Sequence, residues 1–171
     1  MQTYYPVMEH FYTIQGEGFH QGRAAYFIRL AGCDVGCVWC DVKESWEEAK
    51  HPRMTVEKLI SQVKQSNARI VVITGGEPLM HDLKPLISAL HSDGYKVHIE
   101  TSGAWPLSGV PDWICLSPKK FKVPLDSVIP HADELKVVVF NASDLEWAEK
   151  YAALVPSKCR LYLQPEWEKS A

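Results

Sequence analysis

Cys33, Cys37 and Cys40 put three thiols within eight positions, at the spacing C-x3-C-x2-C. Thiolates bunched in this way hold soft metal centres. A cubane iron-sulfur cluster takes four thiolates, one for each iron, so three leave one iron open to bind a small molecule directly. Zinc is the competing metal, but a structural zinc site wants a fourth ligand and usually comes as paired Cys or Cys/His units. The nearest histidines, His20 and His51, form no such pair. Three inert core thiols would be a chance crowding of a scarce residue. The iron-sulfur reading ranks first, with a zinc module and a metal-free loop as the alternatives.

Three other stretches carry chemistry. Residues 12–22, Y-T-I-Q-G-E-G-F-H-Q-G, contain three glycines and short polar side chains, which predicts a loop ahead of a strand. Its plainest role is a hairpin connection, yet Gln15 and Glu17 are an amide and a carboxylate two apart. On extended backbone they point to one side, where they would read the donor and acceptor edge of a heterocycle. Arg29 interrupts the apolar run AAYFIRL at 24–30. It either pairs with a structural carboxylate or clamps an anionic group bidentately. Gly75-Gly76-Glu77-Pro78 ends another β-branched run, and glycines there let a ligand approach the backbone closely.

The elements that must position these residues are legible as alternating strands and helices. Strands are predicted over 24–30, 69–74, 95–101, 112–117, 134–140 and 160–163. Thr55 caps a helix carrying Val56, Leu59, Ile60 and Val63 on one face, and Asp82 caps a second with Leu83, Leu86, Ile87 and Leu90, closed by Gly94. Ser143 and Glu146 form a capping box for a third, running through Leu154 with Leu145, Ala148 and Ala152 on one face. Strand-helix alternation implies parallel β-α units with right-handed crossovers. The expected fold is α/β, an incomplete TIM-type barrel of about six parallel strands whose C-terminal ends gather the special loops. Cys115 and Cys159 stand alone in apolar runs and read as core filling.

Composition limits the function classes. The chain has 171 residues, 46% of them hydrophobic, and a net charge of -3. That length fits a single domain, 1–171, burying roughly 70% of its unfolded surface. Lys and Arg are dispersed, so the electrostatic footprint of a nucleic-acid binder is missing. No apolar run is long enough to span a membrane and the first residues do not read as a signal peptide, so a cytoplasmic location is expected. Five cysteines, three of them bunched, point to a reducing compartment rather than a disulfide framework.

The order and spacing of Y-T-I-Q-G-E-G, the cysteine loop ending W-C-D, T-G-G-E-P, E-T-S-G, L-S-P-K and L-Q-P resemble the radical S-adenosylmethionine (SAM) enzymes over nearly the whole chain. Within them the chain is similar to the branch that forms 7-deazapurines, the queuosine precursors. The resemblance implies a lyase that converts 6-carboxy-5,6,7,8-tetrahydropterin to 7-carboxy-7-deazaguanine with loss of ammonia. It implies that Cys33, Cys37 and Cys40 hold a 4Fe-4S cluster whose open iron takes SAM. Trp39, Asp41, Gly75, Gly76, Glu77, Ser117, Lys119 and Gln164 match cofactor positions, the 75–77 segment offering backbone polar groups to the methionine end. Ile14, Gln15, Gly16, Glu17, Arg29 and Thr74 match substrate positions, with Arg29 meeting the substrate carboxylate. A homodimer and a flavodoxin or ferredoxin electron donor are implied as well.

Two departures accompany the resemblance. Val42 stands where some members place a hydroxyl that contacts Mg2+, and an isopropyl group offers no oxygen. Either the ion is held by water, backbone and substrate alone, or the protein works without it; Asp41 is a candidate substitute ligand, with a solvated carboxylate as the alternative. The chain also stops at Lys169-Ser170-Ala171, where family chains continue, so a missing C-terminal closing segment is expected. Two other functions fit the cysteine loop: an activase that installs a glycyl radical on a partner enzyme, and a non-catalytic iron-sulfur or zinc module.

Overall fold

The computed structural model describes residues 3–166. Eight strands form one sheet: β1 (Tyr4–Ile14), β2 (Ala24–Leu30), β3 (Arg53–Thr55), β4 (Ile70–Gly75), β5 (Lys96–Thr101), β6 (Trp113–Leu116), β7 (Glu134–Val139) and β8 (Arg160–Pro165). Their order is β3-β1-β2-β4-β5-β6-β7-β8. From β2 to β8 each neighbouring pair is parallel, which matches the six expected strands. The sheet is not closed, so the architecture is a partial barrel.

β1 and β3 are additions that the sequence reading did not contain. Both pair antiparallel at the β2 edge. The loop expected from residue 12 begins only at Gln15, because Tyr12, Thr13 and Ile14 face Tyr26, Ala25 and Ala24 across the hairpin. Aromatic and β-branched cross-strand pairs stabilise such a ladder, and glycine first interrupts it at Gly16. The expected end at Lys169-Ser170-Ala171, and Trp167, lie outside the described residues.

Strand side chains alternate between two faces. Ile28, Leu30, Ile73, Val97 and Ile99 point outward and are buried against helix α1 (Val56–Val63) and helix α2 (Lys84–Ser92). A second cluster joins Leu116, Leu135 and Val137 to Tyr151 of helix α3 (Ser143–Ala152). Each such buried side chain contributes about 1.5–3 kcal/mol, so these faces hold the crossovers on the sheet.

The caps differ in detail from expectation. Thr55 caps α1 as predicted, accepting from the Lys58 N–H at 3.1 Å. At α2 the cap position falls to Leu83, which is fully buried and drawn into the core; Asp82, one residue earlier, still accepts from the Lys84 N–H. The Ser143/Glu146 capping box does not form. Asp144 instead accepts from the Phe140 and Asn141 N–H groups, and Asn141 accepts from Ser143. The packed face of α3 turns accordingly: Trp147, Ala148, Tyr151 and Ala152 face the sheet, while Leu145 is exposed.

The β1–β2 loop folds beneath the inner face and closes the N-terminal end of the barrel. Phe19 stacks on Trp113 with ring centroids 5.2 Å apart, and His20 lies 4.4 Å from His98. Burial, reinforced by His20, pushes His98 down to about 4, so its imidazole is neutral at neutral pH. Glu134 accepts from the Phe19 N–H and from the Trp113 indole N–H. Gly18 has φ +69, and a Cβ there would sit 1.9 Å from Glu134 Oε1. Only glycine lets the loop lie so close. Cys115 and Cys159 are buried, as expected of core thiols.

Candidate active site

The cysteine loop leaves the C-terminal end of β2. Its base is tied by the Gly32 N–H to the Ser45 carbonyl (2.7 Å) and the Cys33 N–H to the Trp46 carbonyl (3.3 Å). The loop after β4 is strapped against it: Gly76 N–H donates to the Leu30 carbonyl and Glu77 N–H to the Gly32 carbonyl. A Cβ on Gly76 would meet the Gly32 oxygen at 2.4 Å and Cys33 Cβ at 2.7 Å. The two motifs therefore touch at a point where no side chain fits.

That contact takes up two of the backbone polar groups of the 75–77 stretch. The Gly76 and Glu77 amides are engaged by the cysteine loop's base, so any backbone contact from this turn to a ligand falls to its carbonyl oxygens. The Glu77 carboxylate, 1% exposed, is a strut. It accepts from the Leu79 N–H (3.0 Å), the Ser102 N–H (2.8 Å) and the hydroxyls of Thr101 and Ser102. The ends of β4 and β5 are thus bound through one carboxylate.

Cys33, Cys37 and Cys40 are unpaired thiols that open on one cavity of about 450 Å³. Burial pushes the Cys37 thiol up to about 11, with Lys119 opposing and the other two cysteines adding to the rise; burial also raises Cys33. Thiols so placed stay protonated without metal and release protons when they ligate. The three thiols line one cavity and form no disulfide among the described residues, and although no three His, Cys, Asp or Glu side chains there are gathered tightly enough to hold a single metal ion, three soft thiols are the donor set of a larger iron-sulfur cluster.

Every other cofactor or substrate position expected from the sequence lines the same cavity, with one exception. Ile14 is 62% exposed at the end of β1 and stays outside. Trp39 stands at the mouth with the Lys119 ammonium 5.6 Å from its ring, and Lys119 in turn donates to the Ser117 hydroxyl. Gln164, expected after the last strand, lies within β8. Arg29 reaches the cavity while its Nε donates to Glu9 at 2.7 Å across the hairpin, so it has a structural partner and a free face of guanidinium toward the cavity. Gln15 donates to Glu100 at 2.9 Å.

A Radical SAM superfamily model matches residues 27–127. The 7-carboxy-7-deazaguanine synthase of Synechocystis sp. is 52% identical over 98% of this chain and 80% of the relative. The chain belongs to the 7-carboxy-7-deazaguanine synthase family of radical SAM enzymes. The Escherichia coli synthase of the same name is 37% identical over 96% of this chain and 86% of its own length. The crystal structure of QueE from Escherichia coli superposes with a TM-score of 0.86, at 37% identity over 98% of this chain and 85% of that one. Membership of the radical SAM family carries the 4Fe-4S cluster and SAM as cofactors.

The cavity of this radical SAM enzyme also contains three charged residues that the sequence reading did not single out. Glu100 on β5, Lys136 on β7 and Glu166 after β8 all line it. Lys136 is 7% exposed and its ammonium lies 2.6 Å from Glu17 and 3.8 Å from Glu100. Burial opposes its charge, but Glu100 and Glu17 hold it protonated well above the usual lysine range. A signal was present: in the β7 run E-L-K-V-V-V, Glu134 and Lys136 alternate with apolar residues, which places both charges on the inner face. No helix among the described residues is long and apolar enough to cross a membrane.

Proposed function

We propose that this radical SAM enzyme converts 6-carboxy-5,6,7,8-tetrahydropterin to 7-carboxy-7-deazaguanine. Only ammonia is lost, so the conversion needs no external oxidant. One observation carries the reading: the three cluster thiols and the Gln15-Gly16-Glu17, Arg29 and Thr74 group open on the same cavity. When bound, the cluster and SAM supply the hydrogen-abstracting radical, and the protein supplies position and exclusion of water.

Each role follows from what a side chain can offer. Cys33, Cys37 and Cys40 ligate the cluster. Trp39 provides a ring face for the adenine, and Ser117, Lys119 and Gln164 hydrogen-bond the remainder of SAM, while Asp41, Gly75, Gly76 and Glu77 shape the methionine end. Gln15, Gly16 and Glu17 read the polar edge of the pterin beside Thr74, and Arg29 takes its carboxylate. Replacing Arg29 by Ala is expected to raise the substrate KM by about tenfold or more, leaving cluster absorbance and SAM affinity as in the wild type. Loss of cluster in that variant would remove Arg29 from this role.

The test is an anaerobic incubation of reconstituted, reduced protein with SAM and the pterin, followed by mass spectrometry. Formation of 7-carboxy-7-deazaguanine is expected. Cleavage of SAM without that product would reject the pterin as substrate, and zinc in place of iron and sulfide would reject the radical chemistry altogether. We assign Asp41, which opens on the cavity, as the side-chain oxygen for a magnesium ion in place of the hydroxyl that Val42 lacks. Full turnover in excess chelator would withdraw that assignment. A cytoplasmic homodimer reduced by flavodoxin or ferredoxin, with residues 1–171 acting as one catalytic domain, completes the proposal; sedimentation and reconstitution with each reductant test it.

A further inference from the structure

Asp34 follows the first cluster cysteine, and its side chain turns away from the cavity that Cys33 and Val35 line on either side of it. Two other loops meet it there. The Trp105 indole N–H, from the loop after β5, donates to Asp34 Oδ1 at 3.1 Å. The Lys122 ammonium, from the loop after β6, pairs with Asp34 Oδ2 and lies 4.4 Å from the centre of the Trp105 ring. Carboxylate, ammonium and indole form a closed set in which each member touches the other two. Phe121, beside Lys122, sets its ring 6.1 Å from that of Trp39, which stands between the second and third cysteines. One short segment, residues 121–122, therefore grips the cysteine loop near both of its ends.

Resting on the cluster reading above, we propose that Asp34, Trp105 and Lys122 are positioning residues for the iron-sulfur centre: they fix the outer side of the cysteine loop, and Lys122 offsets the carboxylate charge that the loop would otherwise carry beside Cys33. Stability alone does not account for the arrangement. Asp34 and Lys122 keep 39% and 35% of their side-chain surface exposed, and an ion pair open to water in this way adds little to a fold. Charge and hydrogen bonding around an iron-sulfur centre do set how readily it takes an electron. Burial raises the Cys33 thiol, and the charges of Glu77, Cys40 and Asp34 add to the rise, so Asp34 is felt at this ligand. An uncompensated carboxylate there would disfavour the added electron, because like charges repel. With Lys122 against it, the loop keeps its anchor to Trp105 and carries no net charge at that point.

The experiment is an anaerobic redox titration of the reconstituted full chain without SAM or pterin, the reduced cluster being read by electron paramagnetic resonance. In Lys122→Met the midpoint should move to more negative potential, with the reduced-to-oxidised ratio at a fixed potential about threefold lower than in the wild type. In Asp34→Asn it should move the other way by a similar factor, and in the double variant Asp34→Asn/Lys122→Met it should return close to the wild-type value. A loop that is merely loosened would shift both single variants in one direction. Shifts of the same sign, or no shift in either variant, would overturn the proposal. Should Lys122→Met hold no cluster, Lys122→Arg takes its place: a midpoint as in the wild type is expected there, and loss of the cluster in this variant too would overturn the charge role. A wild-type protein that takes up zinc in place of iron and sulfide would reject the cluster reading itself, and the positioning role with it.

Discussion

Cys37→Ala is expected to fold, to lose the charge-transfer absorbance of the cluster after anaerobic reconstitution, and to cleave no SAM. Two thiols cannot replace three in holding a cubane, and no other cysteine opens on the cavity among the described residues. Cys115 is buried beneath the floor beside Glu134 and Cys159 lies in the α3 cluster, so neither can substitute without breaking the core. The rate should fall to background, a loss of more than about a thousandfold. The fold should survive, because replacing a buried thiol by a methyl group removes one small atom from the loop and no hydrogen bond on which the sheet depends. A Val110→Ser control, at a position 79% exposed, should leave absorbance and turnover unchanged. Retained cluster absorbance in Cys37→Ala would mean that the ligand set has been assigned wrongly.

The second large effect concerns stability. Glu77→Ala removes the carboxylate that accepts from Leu79, Thr101 and Ser102, and leaves those buried donors without their acceptor. Buried donors without partners, together with the void, are expected to cost about 3–5 kcal/mol. For a chain of this size that corresponds to a fall in melting temperature of about 10 °C, measured on the metal-free protein so that cofactor binding does not contribute. The cysteine loop should loosen as well, since the turn whose residue-77 N–H holds the Gly32 carbonyl loses its side-chain anchor to β5. A melting temperature within a degree or two of the wild type would show that the turn is held by its backbone alone.

The sequence exposes most of the cavity but only part of the sheet, for physical reasons. Parallel strands buried on both faces, such as 24–30 and 69–74, stand out because they are continuously apolar. β1 does not: Tyr4, Tyr12 and Ile14 are exposed while Tyr5 and Val7 are buried, and Pro6 interrupts the pattern, so no clean period emerges. The cap of α3 misled because Ser143 and Glu146 satisfy a local rule that Asn141 and Asp144 satisfy better two residues earlier. Motif residues announced themselves by clustering. Glu100 and Lys136 did not, since their meaning arises only when β5 and β7 bring them to the Glu17 loop.

The loop beneath the barrel joins segments that are far apart along the chain. Phe19 and Glu17 reach Glu134 and Lys136 across separations of 115 and 119 residues, and Arg160 of β8 lies 5.2 Å from the Phe19 ring. Closing spans of that length carries a large entropic cost and slows assembly. The cysteine loop, by contrast, leans on β2 and β4, which pair over a shorter stretch. In a refolding chain the thiols should therefore find their surroundings before the floor of Glu17, Glu134 and Lys136 exists. Under the proposed substrate reading, the same latch makes pterin recognition a late and fragile acquisition: strain introduced at the last strand should be felt first as weakened pterin affinity, while the thiol loop still holds its shape.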